Sequence, residues 1–67
     1  MSWVAVDKDG TEYVYEGHPT KLKHSWIYLT SVEGENVNMS VELPKGSIKK
    51  LTGKELKWED SPIDLWA

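Results

Sequence analysis

The chain has 67 residues and no cysteine, yet it carries four Trp and three Tyr. That pairing limits the folds available to it more than any other feature. A domain of this length hides only about 60% of the surface its unfolded chain exposes, so it usually needs a crosslink, a metal or a partner. Without thiols, disulfides and thiolate metal sites are excluded. The rings must supply the cohesion, and each can bury roughly 150–250 Å². Rings left on the surface would instead complete their burial against a second copy of the chain.

Most of the sequence alternates at period two, the signature of strands. Trp3-Val4-Ala5-Val6 and Thr11-Glu12-Tyr13-Val14-Tyr15-Glu16 flank Asp7-Lys8-Asp9-Gly10. This predicts a β-hairpin over residues 3–16 with a type I turn and a bulge at Gly10. Tyr13 and Tyr15 then share one face, and Glu12, Val14 and Glu16 the other. Residues 17–24 break the alternation and read as an exposed loop anchored by Leu22. Ser25-Trp26-Ile27-Tyr28-Leu29-Thr30 reads as a third strand with Trp26 and Tyr28 on one face. After a turn at residues 33–36, Val37-Asn38-Met39-Ser40-Val41-Glu42-Leu43 alternates most cleanly of all. A one-residue slip would place Val37, Met39, Val41 and Leu43 in water, so its register is expected to be firmly set. Ser47 to Gly53 fits one helical turn closed by glycine. Leu56 and Trp58 alternate with Lys57 and Glu59 and suggest a fifth strand. Residues 63–66 read as a tail docked on the body.

The expected architecture is therefore a single all-β domain spanning residues 1–67. It is SH3-like or a related small, partly open barrel of about five strands, with one short helical turn before the last. Curling the sheet would hide its edges.

Several motifs fail on spacing. Six residues separate Gly46 from Gly53, and Glu follows Lys54, so the phosphate-loop pattern is absent. Asp7-Lys8-Asp9-Gly10 brings its glycine too early for a calcium loop, and position 18 is His where a closing Glu is required. His18 and His24 sit in a loop without the spacing of a metal pair. Together with Lys21 and Lys23 they offer at most a weak anion site. Asn38-Met39-Ser40 matches a glycosylation acceptor but comes with no secretion signal. Ser25 beside His24, or Ser40 with a carboxylate, lacks the base and orienting partner of a nucleophilic centre. A barrel this small has little room for a pocket of the usual 300 Å³ or more. No enzyme activity, cofactor or metal is expected.

Two constellations remain. Tyr13, Tyr15, Trp26 and Tyr28 lie on same-face positions of two strands. Pointing outward, they would form a continuous aromatic binding face for a protein partner, a cationic ligand or a second copy; pointing inward, they are core. Lys45, Lys49, Lys50, Lys54 and Lys57 form the strongest charge asymmetry. Their alternative role is a nucleic-acid contact patch, with Trp26 and Trp58 as stacking rings. Against it stand a net charge of -3, no Arg anywhere, and Glu55 and Glu59 among the lysines. A small-molecule site at a dimer interface is a third reading. The opening residues form no signal peptide, and no run approaches the roughly 20 apolar residues that span a bilayer, so a soluble, cytoplasmic protein without membrane contact is expected.

The segment from Glu42 through Lys45-Gly46-Ser47-Ile48-Lys49-Lys50-Leu51-Thr52-Gly53 to Ile63 resembles the ending of short uncharacterised proteins from bacteriophages and prophages. Trp3-Val4-Ala5-Val6-Asp7-Lys8-Asp9-Gly10-Thr11-Glu12 is similar to how such proteins begin. The resemblance covers about half the chain and leaves its middle unmatched. It carries no catalytic residues. It implies a small accessory protein acting in the cytoplasm of a host bacterial cell and engaging a host protein or nucleic acid. The function expected from the sequence is thus non-enzymatic binding of a protein partner through the aromatic face.

Overall fold

The 3–16 hairpin forms the centre of a four-stranded antiparallel sheet. In the computed structural model, which describes residues 2–66, β1 (Trp3–Val6) pairs with β2 (Glu12–Tyr15) in the register Val4↔Val14 and Ala5↔Tyr13. The Gly10 N–H donates to the Asp7 carbonyl and the Asp7 N–H to the Thr11 carbonyl, both at 2.9 Å. Gly10 has φ 91°, a left-handed conformation that glycine adopts without a Cβ penalty. This is the type I turn with a bulge that the sequence predicts.

Beyond the hairpin come β3 (Thr20–Lys21), β4 (Trp26–Ile27), β5 (Leu29–Val32), β6 (Glu35–Asn38), β7 (Ser40–Leu43), α1 (Ser47–Thr52) and β8 (Ile63–Asp64). The central sheet has the order β7-β2-β1-β8; β3–β4 and β5–β6 form two separate ribbons. The domain is thus mostly β with one short helix, but its sheets do not close. Here the architecture departs from one curled sheet of about five strands. The third predicted strand breaks at Tyr28, and the fourth breaks at Met39. The halves of each pair with different neighbours. Glu35–Asn38 pairs with β5 away from the body, while Ser40–Leu43 lies beside β2. Leu56 and Trp58 form no strand; the last strand is β8, inside the stretch read as a tail.

The sheet is covered on both faces. On one, Val4, Val6 and Ile48 form a cluster joined by Val14, Leu43, Leu56, Ile63 and Leu65. On the other, Ala5, Tyr15 and Trp26 are joined by Tyr13, Tyr28 and Trp58. Leu56 and Trp58 thus serve opposite faces. An i, i+2 pair in a strand shares one face, which is why their alternation misleads.

The helix is closed as the sequence predicts. Gly53, at φ 77°, donates its N–H to the Lys49 carbonyl. Its start is held by a distant residue. The Glu12 carboxylate on β2 accepts the Gly46 N–H at 2.6 Å and the Ile48 N–H at 2.8 Å. Among the described residues, no helix is long and apolar enough to cross a membrane.

Candidate binding surfaces

Trp26 is fixed from four directions. Its backbone N–H donates to Asp7 Oδ1 (2.9 Å) and its indole Nε1–H to the Val6 carbonyl (3.0 Å). Its carbonyl accepts the Tyr15 hydroxyl (3.1 Å). Its ring meets Trp58 edge-on at 6.0 Å between centroids. Lys21, on the neighbouring strand β3, closes the group. Its ammonium lies 4.2 Å from the Trp58 ring centroid and donates to the Trp58 carbonyl at 3.2 Å. A cation over an exposed ring contributes about 0.5–1 kcal/mol.

The four aromatic residues predicted as a binding face therefore converge, but chiefly inward. Tyr15 is 2% exposed and Trp26 is 8% exposed. Tyr13 is half-buried, with its ring 6.1 Å from that of Tyr15. Tyr28 is also half-buried. Its ring lies over Gly17, where an added Cβ would come within 2.5 Å of Cε1 and Cζ. Only Tyr13 and Tyr28 retain surface for a partner.

Burial pushes the Tyr15 phenol well above its ordinary value of 10.0, and the charges of Asp7 and Tyr13 add to this. The Tyr13 phenol is raised too, first by burial and then by Glu42, Asp7 and Asp9. The folded chain keeps these protons at a pH where the unfolded chain releases them. Stability from this source is complete below about pH 10 and is lost as the pH rises further. The thermal midpoint is expected to hold up to that pH and fall above it. Tyr15→Phe should flatten part of the fall, while costing about 1 kcal/mol at neutral pH through the lost bond to Trp26. A Tyr15→Phe profile parallel to wild type would contradict this. The Asp7 carboxyl is likewise raised by burial, opposed by the Trp26 N–H and reinforced by Asp9.

The five predicted lysines are all exposed, but they do not form one patch. Lys45, Lys49 and Lys57 join Lys8 around an open cleft of about 400 Å³, more room than the sequence led one to expect. Its floor includes Val6, Ile48, Leu56 and Trp58, and Asp7, Glu12, Glu55 and Glu59 balance the four lysines. Lys54 lies instead beside Glu55 and Asp60 on another depression. The proposed stacking rings, Trp26 and Trp58, are engaged with each other and with Lys21.

Most of the exposed large apolar side chains lie elsewhere. Leu29 and Val32 on β5, Val37 on β6, Met39 at the bend and Val41 on β7 are all open to solvent. The β5–β6 ribbon turns through Glu33 (φ 52°) and Gly34 (φ 82°), both left-handed as a two-residue type I′ turn requires. At its base the Met39 N–H donates to the Tyr28 carbonyl (2.9 Å) and the Tyr28 N–H to Asn38 Oδ1 (3.2 Å). The alternation of Val37, Met39 and Val41 is visible in the sequence, but reading it as one strand assigns these residues to the core. Glu12, Asp7 and Lys21, which hold the two cores together, were missed. No local signal singles out Glu12, which shares its strand face with Val14 and Glu16; its role comes from the distant start of α1. No protein-family model, no curated protein and no solved structure matches this chain.

Proposed function

We propose that the chain is a small non-enzymatic binding protein that engages a protein partner through the β5–β6 ribbon and the adjoining β7 strand, with Tyr28 at the base of that surface. One observation carries this reading. Among the described residues, five of the eight large apolar side chains that are exposed lie between Leu29 and Val41. Scattered exposed apolar residues need no explanation, but their concentration on one ribbon and its adjoining strand marks an interaction surface, with Val32 and Val37 on one face of the ribbon and Leu29 on the other. A two-stranded ribbon is marginal by itself, so a partner would also stabilise it. The resemblance to phage accessory proteins directs the search to bacterial proteins.

The test compares capture from a bacterial lysate by three immobilised chains. Val32→Thr, Val37→Thr and Val41→Thr in one chain keep shape and strand preference while removing apolar contact. Retention of the partner captured by wild type should fall about tenfold or more, since even partial loss of three buried methyl groups amounts to roughly 1.5–2 kcal/mol. Lys49→Ala with Lys50→Ala should retain it. Loss with the lysine pair and retention with the valine set would overturn the reading in favour of the basic segment.

A further inference from the structure

We infer that the outer edge of β7 takes up an extended segment of a partner protein, rich in alternating apolar and Lys or Arg residues, as an added strand. This rests on the reading that the ribbon and β7 are the contact surface, and it specifies the partner's chemistry. β7 ends the four-stranded sheet, and among the described residues β2 is its ladder partner there. The strand that leads into its neighbourhood, β5, diverges after the Tyr28–Met39 bond and pairs with β6 instead. A sheet edge of this kind offers backbone groups to a new strand. Natural edges are commonly blunted with lysine. Here no Lys or Arg occurs from residue 24 to residue 44.

The side chains around the edge set what the added strand must carry. Val41, 64% exposed, lies opposite Val14 and shares a groove of about 320 Å³ with Met39, Ser40 and Asn38. Glu16 stands in the same groove, and Glu42 follows Val41. Glu33 and Glu35 continue the negative character along the ribbon, and Lys45 stands beyond Leu43 at the far end. An incoming strand alternates its side chains between two faces. Apolar residues on one meet Val41 and Met39, with Glu16 at the rim of the same groove, and cations on the other meet Glu42. A second copy of this chain would bring its own Glu16 and Glu42 to the same place, and like charges across an interface oppose pairing.

The probe is the capped heptapeptide Lys-Val-Lys-Val-Lys-Val-Lys, added to the full chain up to about 1 mM, the range of weak ligands. Amide proton–nitrogen correlation spectra should shift at β7, Val14 and Met39 and stay unchanged on α1. Replacing the peptide lysines with Glu should weaken binding about tenfold or more, as should raising salt from about 50 mM to about 500 mM. Methylating alternate backbone nitrogens of the peptide should abolish binding, because it removes the donors of a ladder. Glu42→Lys, an exposed substitution, should weaken the lysine peptide and strengthen the Glu peptide. Equal binding of both peptides, indifference to methylation, shifts centred on the lysines of α1, or no shift at all would overturn the inference. So would β7 shifts that appear on concentrating the chain alone, which would assign the edge to a second copy. If the peptide fails while the valine substitutions still abolish partner capture, the surface stands and strand addition falls. If the peptide binds while capture ignores those substitutions, the reverse holds.

Discussion

Trp26→Ala is expected to remove a large share of the chain's folding stability. Removing a buried Trp typically costs about 3–5 kcal/mol. A chain of this length has on the order of 3–10 kcal/mol to lose. The cost falls toward the high side here, because the truncation also removes the indole bond to Val6 and the ring contact with Trp58. Thermal unfolding followed by circular dichroism should show a midpoint lowered by about 15 °C or more, taking roughly 4–8 °C per kcal/mol. A shift under about 3 °C would place this ring outside the core and restore the aromatic-face reading. Any loss of partner binding in this variant would then reflect unfolding and not a missing contact.

The second large effect is expected at a residue with no obvious role in the sequence. Glu12→Ala removes both bonds that hold the start of α1 to the sheet. Hydrogen bonds to a charged group contribute about 1.5–3 kcal/mol each, toward the low end where water can reach them. Losing two should lower stability by about 3 kcal/mol. Glu12→Gln keeps a single acceptor oxygen and should fall between wild type and Glu12→Ala. Denaturant unfolding measures the totals, and hydrogen exchange locates them. Amides of α1 should exchange faster in Glu12→Ala, while those of β1 remain protected. Equal stability of the Ala and Gln variants with wild type would show that the carboxylate does not hold the helix.

The sequence made the local parts of the fold legible. Asp7-Lys8-Asp9-Gly10 specifies its own turn, and Gly53 stops its own helix, because each depends on a few neighbouring residues. Face assignment within β2 was legible for the same reason, since period two is a property of the strand itself. What the sequence did not show is where strands change partners. Val37 to Leu43 alternates without interruption, yet the chain bends at Met39, and only Leu43 of the four apolar residues packs on the first core cluster. Nothing local marks that bend; it follows from β5 leaving the body. The inward convergence of Tyr15, Trp26 and Trp58 is likewise tertiary. It depends on Asp7, Val6 and Lys21 supplying partners from other elements. The sequence assigns Tyr13, Tyr15, Trp26 and Tyr28 to a binding face, whereas Tyr15 and Trp26 belong to the core, because strand positions alone do not set whether a face points inward.

Cohesion and contact are divided in this chain: the Tyr15 and Trp26 rings lie inside, and aliphatic side chains of the ribbon and β7 lie outside. A soluble paramagnetic agent added to the isotope-labelled chain tests this division in one experiment, since it broadens signals according to their closeness to solvent. The indole N–H of Trp26 should persist, and the methyl signals of Leu29, Val32, Val37 and Val41 should be strongly attenuated. Persistence of those methyl signals together with loss of the Trp26 indole signal would contradict the account.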